Sequence, residues 1–266
     1  MKTILSSAIL AALLPVAATA QSIDDLAQVR VLPGWRTADG AHMAALEITL
    51  QPGWITYWRA PGDAGIPPQF AFSGDPAIAS ITPHWPTPAI FGDKGMLSIG
   101  YSNRVTVPLE IDVSDGTGAF AVSGDIQIGV CEEICIPVTL PFSALLPPSG
   151  THDTRIDAAL DAGPVSGATV GVGPVSCRID PIADGLQLTA RIALPQGTVA
   201  DHVVVEARDP RIWVSEAAIS KDGSGITAQV DMIHPSGGAF ALDRGGLRFT
   251  VLGGERAIDI AGCSAG

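Results

Sequence analysis

The sequence is short of charge, and shorter still of positive charge. Asp, Glu, Lys and Arg together make up 16% of its 266 residues, with 15 Lys and Arg against 27 Asp and Glu. A net charge of −12 leaves no basic face for the phosphates of a nucleic acid or for anionic lipid. Aromatic residues are few, at 5%, and the 5 histidines are scattered with no H-x3-H or related metal-ligand spacing. Gly-x-Ser-x-Gly, P-loop and dinucleotide fingerprints are missing, which removes the common hydrolase, nucleotide and NAD sites. Beyond the N-terminal segment there is no apolar run of about 18 residues, so no membrane-spanning helix is expected there.

Hydrophobic residues, at 47%, and turn formers, with 30 Gly and 21 Pro, are plentiful. There is enough apolar side chain for a core, and the turn density fits many short strands better than long helices. The length suits one large domain or two of ordinary size. Residues 1–20 read as a secretory signal peptide. Lys2 supplies the positive start, Ile4 to Val16 is mostly apolar, and Ala18-Thr19-Ala20 gives a small-x-small cleavage pattern. Cleavage after about Ala20 would yield an exported chain with no membrane insertion. Its four cysteines would lie where disulfides form.

Period-two patterning recurs along the rest. Leu46, Ile48 and Leu50 alternate with Glu47 and Thr49. Val105, Val107, Leu109, Ile111 and Val113 alternate with Thr106, Pro108, Glu110 and Asp112. Leu186, Leu188, Ala190, Ile192 and Leu194 form a third set, and Ile226, Ala228, Val230 and Met232 a fourth. Such runs, bounded by Gly, Pro and Asp, are half-buried antiparallel strands, and so many of them mean a sandwich or barrel. One segment breaks the pattern. After Leu146-Pro147-Pro148-Ser149-Gly150, Asp153 can cap a short helix through Ala159 and Leu160, which Gly163-Pro164 stops. The expected fold is therefore all-β. Two immunoglobulin-like β-sandwich domains, 23–148 and 165–266, are joined by a short Pro/Gly-flanked helical linker at 149–164.

Four cysteines allow three pairings. Ile126, Ile128 and Val130 alternate before Cys131, and Ile136, Val138 and Leu140 alternate after Cys135. Two strands thus flank the loop Glu132-Glu133-Ile134, and the two cysteines face each other across a hairpin ladder at a Cα distance of about 4.5–5.5 Å. Closing so short a loop constrains the unfolded chain by only about 2 kcal/mol. Pairing Cys177 with Cys263 closes a loop of 86 residues, worth about 4.6 kcal/mol on the same formula. That pair reads as a structural disulfide near the two ends of the second domain. Spacing alone leaves Cys131 and Cys135 open to two readings, a hairpin staple or a redox couple. Two soft ligands for a metal are a third, without a nearby His to complete the set. Glu132 and Glu133 would raise a neighbouring thiol pKa and so disfavour the thiolate.

Trp54, Tyr57, Trp58 and Trp85 are a concentration in an aromatic-poor chain, read mainly as core, with a docking surface near the cysteines as the alternative. Trp35 and Trp213 read as core. Arg59 and Asp63 flank a Pro-Gly turn and are expected to pair locally as loop architecture.

The stretch Gly53-Trp54-Ile55-Thr56-Tyr57-Trp58-Arg59-Ala60-Pro61-Gly62-Asp63-Ala64-Gly65-Ile66-Pro67-Pro68 is followed by Trp85-Pro86-Thr87-Pro88, Gly100-Tyr101, Val107-Pro108-Leu109 and Cys131 to Pro137. This ordered series resembles the periplasmic N-terminal domain of DsbD-type thiol:disulfide interchange proteins. It is most similar to the ScsB-like branch, which also carries C-x3-C. The resemblance covers the first domain, and in ScsB-like proteins a second β domain follows. It implies a redox pair on a hairpin of an immunoglobulin-like sandwich, working by thiol–disulfide exchange without a cofactor. It implies that Cys135 forms the mixed disulfide and Cys131 resolves it. A cap loop matches Thr87 to Gly92, with Ile90 and Phe91 as an apolar lid, and Trp58 and Tyr101 are expected as partner-docking residues. The better-known branch has acidic residues in its cap, where this sequence has Pro88 and Ala89, and here the acids lie between the cysteines.

The implied partners are a membrane-embedded thiol reductase of the DsbD, ScsB or CcdA kind and periplasmic thioredoxin-like proteins. With no membrane region and no C-x-x-C thioredoxin-like domain in this sequence, the membrane partner is expected to be a separate protein. The leading expectation is a periplasmic thiol–disulfide exchange protein, in effect a protein-disulfide reductase component. The alternative is a non-catalytic binding or adaptor module whose two disulfides are both structural. Handling of Cu(I) through the two thiols is a weaker third.

Overall fold

The computed structural model describes residues 26–63, 65–92, 97–114, 118–223 and 225–266. The expected signal peptide, its cleavage site near Ala20 and the proposed domain start at residue 23 lie outside the described residues.

Ten strands precede a helix. They are β1 (Ala27–Arg36), β2 (His42–Leu50), β3 (Ile55–Tyr57), β4 (Gln69–Gly74), β5 (Ile78–Pro83), β6 (Ala89–Phe91), β7 (Ser98–Ser102), β8 (Arg104–Val113), β9 (Phe120–Cys131) and β10 (Cys135–Leu146). They form two sheets, β1-β2-β8-β5 and β10-β9-β3-β7-β6, with β4 also paired to β9. The inward rows follow the sequence alternation. Ala44 and Leu46 of β2, Leu109 and Ile111 of β8, Phe120 and Val122 of β9 and Phe142 of β10 make one cluster. Ile48, Val105, Val107, Ile126, Ile128, Val130 and Val138 extend it as a second, into which Trp58, Ile99 and Tyr101 pack. Two facing sheets with apolar inner rows are a β-sandwich.

Strand β2 departs from simple alternation, since nearly every residue in it is buried. The cause is the helix α1 (Thr154–Asp161). Its Ile156 lies against Leu32, Trp35, Met43 and Ala45 on the outer face of the first sheet. Glu47, which alternation places outward, is 2% exposed. It accepts a hydrogen bond from Arg30 Nε at 2.6 Å and lies 3.7 Å from Arg155 of the helix. The Asp153 carboxylate caps α1 by accepting from the Arg155 backbone N–H at 2.9 Å. Burial of one apolar helix face is what holds so short a helix.

The second half repeats the layering. After β11 (Val165–Ser166) come β12 (Val175–Ile182), β13 (Gly185–Ala193), β14 (Ala200–Glu206), β15 (Trp213–Val214), β16 (Ala218–Asp222), β17 (Gly225–Ile233), β18 (Arg248–Gly253), β19 (Ile258–Ala261) and β20 (Ser264–Ala265). One sheet runs β11-β19-β18-β14 and the other β15-β17-β13-β12-β20, with β16 also on β17. Leu188, Ala190, Ile192, Ala228, Val230 and Met232 face Val203, Val205, Phe249 and Val251 across the core. Trp213, read from the sequence as core, is 50% exposed, because its two-residue strand sits at the sheet edge. The fold is all-β, two immunoglobulin-like sandwiches with one short helix between them.

The two sandwiches meet directly. Leu252 and Ala257 of the second belong to the core cluster of the first. The Thr87 N–H donates to the Ala162 carbonyl at 2.8 Å, and the Ala257 N–H donates to Thr87 Oγ1 at 3.1 Å. Among the described residues no helix is long and apolar enough to cross a membrane.

Candidate functional site

Strands β9 and β10 pair without a break from Phe120↔Leu146 to Cys131↔Cys135. The hairpin ends in Glu132-Glu133-Ile134, so the two cysteines are ladder partners, bonded to each other with Cα atoms 4.2 Å apart. Cys135 is exposed and Cys131 half-buried, because β3 flanks β9 with Ile55 paired to Cys131. Glu132, Glu133 and Ile134 are all exposed, Ile134 at 71%.

Residue parity decides what lies beneath the sulfurs. Val130 and Ile128 point into the core, so Cys131 and Gly129 belong to the outer face of the sheet. On β3, Ile55 and Tyr57 share that face, while Thr56 points inward and donates its hydroxyl to the Gly129 carbonyl at 2.8 Å. Gly129 has no side chain, and the Tyr57 ring lies across it. A methyl group at that position would sit 2.9 Å from two ring atoms of Tyr57 and 2.7 Å from Ile66 Cβ. The ring thereby reaches the hairpin tip, and Tyr57 Oη lies 3.0 Å from Cys135 Sγ. A bonded sulfur carries no proton, so the phenol is the donor. Tyr57 is only 2% exposed although it is on the outer face. The loop after β3 covers it: a methyl at Gly65 would meet both Pro61 and the Tyr57 ring at under 3 Å. Burial raises the pKa of this phenol, so it stays protonated.

The other expected site residues are placed differently. Ile90 and Phe91 lie on β6, at the sheet edge, separated from β9 by β3 and β7. Ile90 packs against the core cluster, and Phe91 is half-buried opposite Ser98. Trp58 and Tyr101, expected as docking residues, are 0% and 8% exposed. Trp58 is enclosed by the sandwich core. Tyr101 stacks on Trp85 and donates its hydroxyl to the Pro86 carbonyl at 2.8 Å. Arg59 does not form the expected local pair with Asp63. It turns to the second sandwich, donating to both carboxylate oxygens of Glu206 at 3.0 Å.

Cys177 is fully buried on β12 and bonded to Cys263 with a Cα separation of 5.8 Å. The bond fixes β12 beside the C-terminal strand β20, with which it pairs in parallel. Among the described residues no group of three or more His, Cys, Asp or Glu is arranged to hold a metal ion.

The site is thus a bonded cysteine pair at a hairpin tip, with Cys135 exposed and Cys131 half-buried. Residues 28–147 match the sequence model of the family described as thiol:disulfide interchange protein DsbD, N-terminal, and this segment belongs to that family. In three dimensions the chain is similar to the N-terminal periplasmic domain of ScsB from Proteus mirabilis, known from a crystal structure. The two share 24% identity and a TM-score of 0.69, over 93% of this chain and 97% of that one. The likeness is one of fold and takes in both sandwiches. No curated protein sequence matches the chain.

Proposed function

We propose that this is a periplasmic exchange protein that relays reducing equivalents through Cys131 and Cys135. The donor is a membrane-embedded thiol reductase and the acceptors are thioredoxin-like proteins. The observation that carries the reading is the unequal exposure of a bonded pair at the hairpin tip. Cys135 is open to a partner's sulfur and Cys131 is half-buried beside it. In the reduced protein the Cys135 thiolate attacks an acceptor disulfide. A bond from Cys135 to the acceptor forms, and the acceptor's second sulfur leaves as thiolate. Cys131, deprotonated, then attacks Cys135 Sγ and expels the acceptor's first sulfur. The pair ends oxidised and the acceptor gains two electrons and two protons. Ile134, projecting beside Cys135, offers the apolar contact such an encounter needs.

In this reading residues 1–20 direct export, 23–148 form the exchange domain, 149–164 the linker and 165–266 a supporting domain closed by Cys177–Cys263. Shielding of the pair by Ile90 and Phe91 belongs to the same proposal.

The test is the reduction potential of each disulfide in the mature protein, read by alkylation and mass spectrometry after equilibration in dithiothreitol or glutathione buffers. Cys131–Cys135 is expected to reduce reversibly, well above about −300 mV, while Cys177–Cys263 stays oxidised. If both resist until the protein unfolds, the pair is a staple and the binding-module reading replaces this one.

A further inference from the structure

We propose that Tyr57 is a catalytic hydrogen-bond donor, which selects Cys135 over Cys131 as the reactive thiolate. The inference rests on the exchange reading above and deepens it.

The geometry is specific. The Tyr57 hydroxyl is 3.0 Å from Cys135 Sγ. Its ring lies close to the bare backbone of Gly129 and to Gly65 of the covering loop, and a methyl group added at either glycine would come within 3 Å of it. In the disulfide the sulfur is a weak, neutral acceptor. When Cys135 is released as thiolate the same contact becomes a charge-assisted hydrogen bond, roughly twice as strong. An interaction that strengthens as charge develops on the reacting atom favours that step. During reduction the donor is joined to Cys135, and the donor's second thiolate attacks the donor sulfur. The bond between donor and Cys135 then breaks, and the donor leaves as a disulfide. Cys135 departs with the electron pair, receives the Tyr57 hydrogen bond and takes a proton from solvent. In the forward direction the same bond keeps a share of Cys135 ionised for attack.

Such help is needed here. Of the titratable groups on the elements framing Cys135, Glu132 and Glu133 belong to the hairpin loop, Tyr57 to β3, Asp125 to β9, and Arg59 and Asp63 to the covering loop. The cation, Arg59, is engaged by Glu206 of the second sandwich, and the carboxylates oppose thiolate formation. Burial keeps the phenol protonated through the range in which thiols titrate.

The experiment is iodoacetamide alkylation of the reduced protein between about pH 6 and 10, followed at each cysteine by mass spectrometry. It compares wild type, Tyr57→Phe and Gly129→Ala. Tyr57→Phe removes one oxygen and keeps the ring, and thermal melting checks that it stays folded. Gly129→Ala keeps the hydroxyl but displaces the ring. Both variants are expected to raise the apparent pKa of Cys135 by about one unit, the change from losing a bond worth a factor of ten. At pH 7 the Cys135 rate should fall about threefold, since a tenfold smaller thiolate fraction is partly offset by higher nucleophilicity. The profile of Cys131 should not move. If Cys135 is the faster cysteine in wild type but its profile is unchanged in Tyr57→Phe, the role of Tyr57 is overturned and the exchange reading stands. If the two cysteines react alike in wild type, the assignment of Cys135 itself fails.

Discussion

Arg59 should tie the two sandwiches together, and the structure allows the size of that tie to be worked out. Its guanidinium donates from Nε and Nη2 to the two carboxylate oxygens of Glu206, each at 3.0 Å, and from Nη2 to Thr250 Oγ1 at 3.4 Å. Its central carbon stands 4.0 Å from the centre of the Trp58 ring. The side chains of the pair are 16% and 22% exposed. Breaking a fully buried pair by deleting one partner costs about 3–5 kcal/mol, and an exposed pair is worth about 0–1. At this partial exposure, Glu206→Ala should cost about 2 kcal/mol. Arg59→Ala should cost about 1 kcal/mol more, because it also loses the cation–π contact and the packing of its stem. Glu206→Gln keeps one acceptor and should fall between wild type and Glu206→Ala. The assay is equilibrium unfolding in urea, which leaves ionic strength unchanged, with tryptophan fluorescence as the probe. A double-mutant cycle of Arg59→Ala and Glu206→Ala should return a coupling of about 1.5–2 kcal/mol. A coupling below about 0.5 kcal/mol, or one abolished by 0.5 M NaCl, would mark an ordinary screened surface pair and refute the reasoning.

Two further outcomes are expected. Replacing Cys177 and Cys263 by Ala should destabilise by about 4.6 kcal/mol from the loop of 86 residues alone, against about 2 kcal/mol for Ser at Cys131 and Cys135. Urea midpoints in which the hairpin pair matters more would contradict the division into staple and exchange couple. His42 is buried, with Nε2 2.6 Å from the Pro33 carbonyl and Nδ1 without a hydrogen-bond partner among the described residues, and burial lowers its pKa below the ordinary value. The unfolded chain therefore binds the proton first. Stability should be fully present above about pH 6.5 and decline as pH falls from there toward the folded-state pKa. His42→Gln should flatten that decline in urea midpoints measured between about pH 5 and 7.5, and an unchanged slope would assign it to other groups.

The strands were readable where one face is buried and the other wet. The alternation at 105–113, 186–194 and 226–232 coincides with β8, β13 and β17 because a half-buried sheet imposes period two on its sequence. The capped helix was readable too, since Asp153 and Gly163-Pro164 act locally. The hairpin pair was legible for the same reason, as its two cysteines are ladder neighbours. Contacts between distant segments were not. Glu47 sits on an outward position of β2, on the face that the helix more than a hundred residues later covers. Arg59 had a plausible acid four residues away, while its partner was Glu206, reached across a packing of two sandwiches. Tyr57 stands in the family-like stretch as one aromatic among several, and nothing there singles out its contact with Cys135. The available signal was the coincidence of an aromatic on a short strand with a glycine, Gly129, two residues before a cysteine.

The three consecutive residues 57–59 show what the second sandwich adds to the site. Strand β3 is only three residues long, and its register is set by β7 and β9 on either side. Alternation sends Tyr57 outward to Cys135 and Trp58 inward to the core. Arg59, just past the strand end, reaches Glu206 at the end of β14. So short a strand has few ladder bonds to resist sliding, and a one-residue slip would exchange Tyr57 and Trp58 between faces. A fully buried Trp58 and a bidentate Arg59 anchored in the neighbouring sandwich both oppose that slip. If the proposed exchange role holds, the second sandwich would act on the cysteine pair through β3, by holding the Tyr57 hydroxyl 3.0 Å from the Cys135 sulfur.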